Sequence, residues 1–131
     1  MRKLSPEYQE QLDALRRLYL QQLREKADAI EEGWSSLAAG AFDEAALDQL
    51  FQQAHRLAGS ASIYRLDPVS DAAGRLESAL MELREARLLP PDVRARLAEL
   101  ITELKNACSR ATDPLPRRRS GARNAQKRPG S

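Results

Sequence analysis

Apolar side chains recur at every third or fourth position through four stretches of this chain, and nowhere do apolar and polar residues alternate with period two. A helix turns once in about 3.6 residues, so this spacing predicts four amphipathic helices and no strand. The first stripe follows Ser5-Pro6, a capping residue with proline at the first helical position, and runs through Tyr8, Leu12, Leu15, Tyr19, Leu23, Ala27, Ile30, Trp34 and Leu37. Gly40 is placed to end it in a left-handed cap. Unbroken, such a helix reaches roughly 50 Å, which predicts a bend, a break or an overhang in its first half.

Asp43 is positioned to cap the second helix, with Leu47, Leu50, Ala54, Leu57, Ala61 and Tyr64 as its stripe and Phe51 and Ala58 beside it. Asp67-Pro68 repeats the cap-plus-proline start for a third helix carrying Val69, Ala72, Ala73, Leu76, Leu80 and Leu83. Leu88-Leu89-Pro90-Pro91 interrupts the pattern before Val93, Leu97, Leu100, Ile101, Leu104, Cys108 and Ala111 make the fourth. The connections near 40–43, 65–67 and 88–90 are short, so consecutive helices are expected to pack antiparallel. The expected fold is all-α: an up-and-down antiparallel four-helix bundle over residues 1–113. No glycine-rich turn follows a strand, which removes support for a nucleotide-binding α/β fold.

Charge divides the chain differently from the helices. Of 21 Lys and Arg residues, Arg117, Arg118, Arg119, Arg123, Lys127 and Arg128 lie in the last fifteen positions with no acid among them. The remaining 15 stand against 19 acids, a formal −4 for residues 1–116, so the pI near 8.9 describes the end of the chain rather than its body. Residues 114–131 offer little apolar surface to bury and are expected to be a disordered basic tail. Such a tail binds polyanions weakly and with strong salt dependence, and a nucleic-acid function for the body is not expected.

Cys108 is the only cysteine, which rules out an internal disulfide and reads as a small buried hydrophobe following Leu104 by one turn. The N-terminal residues contain no apolar signal core, and no window approaches eighteen consecutive apolar residues. A cytoplasmic protein, neither exported nor membrane-spanning, is expected. Trp34 reads as a core anchor.

The chain has one histidine, His55. A lone helical histidine is more often structural or incidental than reactive, but three features single this one out. With Ala54 at the centre of the buried stripe, His55 falls about 100° away, at the border of the exposed face. The residues one and two turns on are small: Ala58, Gly59 and Ser62. Gly59 stands inside a helical pattern, where glycine costs roughly 1 kcal/mol relative to alanine. It lies about 140° from the stripe centre, so close helix packing does not account for it, whereas access for an outside partner does.

His55-Arg56-Leu57-Ala58-Gly59-Ser60-Ala61, with Leu76-Glu77 in the third helix, resembles the histidine-containing phosphotransfer (HPt) domain family. The resemblance covers residues 5–111 and is strongest over 50–80. It implies that His55 is the phosphorylated nucleophile and that Gly59 keeps its surroundings open to a receiver domain. Two positions depart from the pattern: Ala58 stands where many members have a lysine, and Arg65 where many have a glycine. Arg56 and Arg65 are candidates for the missing cation, since guanidinium groups pair well with phosphate, although neither projects cleanly beside the histidine on a helical wheel.

The expected function is that of a phosphorelay intermediate, accepting a phosphoryl group on His55 from a receiver aspartate and passing it to another receiver. It acts as a carrier rather than a stand-alone enzyme. Nε2, the outer nitrogen, is the expected site of attachment. Phe51, Gln52, Arg56, Ala58, Gly59, Ser62 and Arg65 form the expected phosphoryl or docking neighbourhood. No cofactor is expected of the chain itself; the resemblance implies that Mg²⁺ comes with the receiver of a hybrid kinase or response regulator. Glu77 reads as a surface or helix-edge residue rather than an acid–base group. The alternative is a docking or inhibitory module of a two-component system in which His55 is idle, a reading kept open by Ala58.

Overall fold

A computed structural model describes residues 5–40 and 42–112. They form α1 (Pro6–Ala39), α2 (Glu44–Ile63), α3 (Asp67–Ala86) and α4 (Pro91–Thr112), with no strand among the described residues. The helices close in a ring, α1 on α2 and α4, and α3 on α2 and α4. Gly33 faces Leu50 while Arg16 reaches Tyr64, so α1 and α2 run in opposite directions. Glu44 pairs with Arg87 and His55 with Glu77, which gives α2 and α3 the same antiparallel relation. The bundle is therefore up-and-down, as the short connections predict. Residues 113–131, and with them the expected basic tail, lie outside the described residues.

The stripes of α2, α3 and α4 become the core, except that Tyr64, Val93 and Ala111 at the helix ends are only partly buried against it. Leu47, Leu50, Ala54, Leu57, Ala61, Val69, Leu76, Leu80, Leu97 and Leu104 are buried, and among the described residues no polar or charged one is buried with them. Trp34 is buried in the same cluster. Cys108 is buried too, and desolvation pushes its thiol up to about 11, which keeps it protonated and unreactive near neutral pH.

The helix α1 is continuous, so of the alternatives its length allowed, the overhang is the one found. Its buried residues begin only at Tyr19, while Tyr8 and Leu15 on the same stripe are about half exposed. Two expected caps differ. Gly40 is extended (φ −113°, ψ −169°) rather than left-handed. A left-handed cap serves to satisfy the last carbonyls, and here the Arg94 side chain donates to the carbonyl of Ala38 instead. Asp67 is already inside α3; Leu66 is its N-cap and makes no side-chain cap bond. The buried Leu66 side chain fixes that entry, and Asp67 contributes negative charge to the first helical turn. Asp43 caps α2 as expected, accepting from the amides of Ala45 and Ala46 at 3.0 and 3.3 Å.

The end of α2 imposes a backbone requirement on the position of Arg65. The Leu66 amide donates to the Ala61 carbonyl at 2.9 Å and the Arg65 amide to the Ser62 carbonyl at 3.0 Å. This is a Schellman ending, which places Arg65 in the left-handed position that glycine favours, at φ 61°. Arginine carries the steric cost of its Cβ there. Arg65→Gly is expected to raise stability by about 0.5–1 kcal/mol. Chemical denaturation midpoints check this, and an unchanged or lowered midpoint would contradict the assignment.

Candidate functional site

The α2–α3 face is built as a rail of cross-helix pairs. At one end Arg87 reaches Glu44 at 2.7 Å, and next to it Arg84 reaches Asp48 at 3.0 Å. Further along, Phe51 lies nearly parallel to the imidazole of His55, with centroids 6.1 Å apart and planes 11° apart. The Arg84 guanidinium sits over that same Phe51 ring at 5.3 Å. His55 Nδ1 then meets Glu77 Oε2 at 2.7 Å. Beyond it the Ser70 hydroxyl donates to the Ala58 carbonyl at 2.9 Å.

His55 is thus held at one ring nitrogen and open at the other. A carboxylate only accepts hydrogen bonds, so in the neutral imidazole this contact favours the tautomer with the proton on Nδ1 and the lone pair on Nε2. The His55 side chain is 61% exposed, whereas Glu77 is 22% exposed. Glu77 is therefore the fixed member of the pair and the imidazole the presented one. Phe51, one turn earlier on α2, is buried with its ring nearly parallel to the imidazole.

The expected neighbourhood separates into parts. Phe51, Ala58 and Gly59 lie around the ring along α2, with Gln52 and Ser62 exposed one turn before it and two turns after. A Cβ built on Gly59 would meet nothing within 4 Å, so no neighbouring helix requires the glycine. The glycine that lies against another helix is Gly33, whose Cβ would stand 3.4 Å from Leu50 Cδ1. Arg56 points elsewhere: with Lys26, Tyr19 and Ser60 it lines a groove of about 490 Å³ between α1 and α2. Arg65 sits at the α2–α3 turn, outside α2 altogether. Neither candidate cation projects beside His55, in line with their places on the helical wheel.

Three residues escaped the sequence reading. Glu77 does make a helix-edge interaction, but its partner is the imidazole itself. Arg84 is the guanidinium placed on the ring stack next to His55. Gly74, one turn before Glu77 on α3, has nothing within 4 Å of a built Cβ, so the floor on the α3 side is open as well. Among the described residues no group of three or more His, Cys, Asp or Glu side chains is placed to hold a metal ion. None of the described helices is long and apolar enough to cross a membrane.

Comparison with known proteins gives one family: the sequence model described as Hpt domain matches residues 14–107. That span begins inside the overhang of α1 and reaches into the last turns of α4, with the α2–α3 face wholly inside it. No curated protein and no solved structure matches.

Proposed function

Because this chain belongs to the Hpt domain family, which serves histidine phosphotransfer in two-component phosphorelays, we propose that His55 accepts a phosphoryl group from a receiver aspartate and returns it to another receiver. The observation that carries this reading is the pairing of His55 Nδ1 with Glu77, which leaves Nε2 as the exposed nucleophile. In the forward step the Nε2 lone pair forms the P–N bond as the P–O bond to the aspartyl carboxylate breaks. The ring then carries positive charge with its proton still on Nδ1, and the Glu77 carboxylate stabilises that charge. Mg²⁺ and further positive charge come with the receiver. An imidazole standing on an open helix face suits a macromolecular partner better than a small substrate, which calls for an enclosing pocket. The partners this chemistry requires are the receiver of a hybrid kinase, a response regulator, or both, in the cytoplasm.

Incubation with a panel of phosphorylated receivers is expected to transfer label to the protein in an acid-labile, base-stable form. Ala58 favours a second reading, in which the bundle docks a receiver without taking the phosphoryl group; docking without label across the panel is the result that reading predicts.

Glu77 is a positioning residue in this account. Without the carboxylate a neutral imidazole is free to place its proton on Nε2, and the nucleophilic lone pair is then directed inward. Glu77→Ala is expected to slow transfer about tenfold while the ¹⁵N spectrum shifts from a single Nδ1–H tautomer to a mixture. A variant that slows transfer with its tautomer unchanged would show that Glu77 acts in some other way.

A further inference from the structure

The first part of α1 has no counterpart in the other helices. At 34 residues α1 spans about 51 Å, against about 30–33 Å for the 20 to 22 residues of each of the others. The level at which the bundle ends is marked by Tyr64 stacked on Tyr19, with centroids 4.6 Å apart, and by Arg16 donating to the Tyr64 carbonyl at 3.4 Å. On the α4 side, Thr112 lines a groove with Leu20 and Arg24. Residues 6–15 therefore run past the end of the bundle. They carry Tyr8 and Leu15, each about half exposed, with Leu12 between; Leu18 is about half exposed and Ile63, at the end of α2, is 77% exposed.

These positions are a seam rather than scattered apolar residues. Tyr8, Leu12 and Leu15 follow the four- and three-residue steps of a helix that pairs with another helix, and Tyr19, where the same stripe enters the bundle, is already buried. Charge along the seam is segregated: Glu7, Glu10 and Asp13 lie in residues 5–15 with no Lys or Arg among them, and Arg16 and Arg17 follow immediately. A parallel copy would set like charges together. An antiparallel copy with Leu12 opposite Leu15 brings Tyr8 to the half-exposed Leu18 of the other chain, and Glu10 beside its Arg17. Residues 113–131 supply six basic side chains but only one large aliphatic one, Leu115, so they match the acids of the overhang and not its apolar seam.

We propose that this overhang is a self-association surface, on which two copies of the chain pair their α1 helices antiparallel about a two-fold axis. Apolar burial at Leu12 and Leu15 supplies the attraction, and the charge segregation sets the direction.

Sedimentation of the full chain from micromolar to millimolar concentration tests the pairing. The wild type is expected to form a concentration-dependent dimer, and Leu15→Glu, at an exposed position, to be a monomer of unchanged helicity. Glu10→Arg and Arg17→Glu are each expected to weaken association about tenfold or more, and the two together to restore it, because the double change returns opposite charges to each contact. A wild type that stays monomeric throughout overturns the proposal. So does a dimer that survives Leu15→Glu, or charge reversals that do not compensate. If Gln at Arg117, Arg118 and Arg119 abolishes association, the seam belongs to the C-terminal residues and the antiparallel pairing is wrong.

Discussion

His55→Gln is expected to leave a folded bundle that takes no phosphoryl label from any receiver. The His55 side chain is largely solvent-exposed and outside the buried core, so replacing it creates no cavity. Glutamine is a good helix former and its amide can still donate to Glu77, which keeps the carboxylate partnered. What is lost is the one nitrogen lone pair that the arrangement presents. The effect on chemistry is therefore complete while the effect on stability stays within about 0.5 kcal/mol. Thermal melts and labelling with a phosphorylated receiver read the two separately. Residual label on the variant would mean that another residue is the acceptor.

Gly59→Gln is expected to move stability and transfer in opposite directions. The glycine lies mid-helix, one turn beyond His55, with open space where a Cβ would project. Replacing it with a better helix former is expected to leave stability unchanged or raise it by about 0.5–1 kcal/mol. The long side chain, however, enters the volume through which the proposed transfer would bring a receiver aspartate to Nε2. In-line transfer needs near-contact alignment, and a displacement of about 1 Å can cost on the order of a hundredfold in rate. Receiver-dependent labelling of the variant is expected to slow by about tenfold or more, with Gly59→Ala much less affected. A glutamine variant that melts early, or one that transfers at the wild-type rate, would remove the case for this surface as the docking face.

The bundle was legible in the sequence because each helix buries one stripe, and a stripe with a helical period has only one way to face a core. In α3 all six expected positions, from Val69 to Leu83, are buried. Leu66 and Ala107 were missed for opposite reasons: one belongs to a turn, where periodicity is silent, and the other widens a stripe whose neighbours already define it. The caps were less legible than the stripes, since a helix end can be satisfied by its own residue or by a distant one, as Arg94 does for Ala38. At the site, the exposure of His55 followed from its angle to Ala54, and the open space at Gly59 from its place on the same wheel. The Glu77 partnership required the register between two helices, which the Schellman ending at Arg65 and Leu66 sets. Counting outward from that turn places His55 and Glu77 at the same level, but only once the turn geometry is known. Arg84 was missed for the same reason, because its link to His55 runs through Phe51 on the facing helix.

The proposed transfer puts the phosphoryl group on one nitrogen of one residue, and the attachment point can be read directly. After transfer from a phosphorylated receiver to ¹⁵N-histidine-labelled protein, ³¹P and ¹⁵N spectra are expected to show a single phosphorus-coupled nitrogen, Nε2 of His55, with the proton retained on Nδ1. Phosphorus coupled to Nδ1, or a base-labile acyl phosphate elsewhere in the chain, would contradict the account, as would a protein that stays unlabelled with every receiver tried.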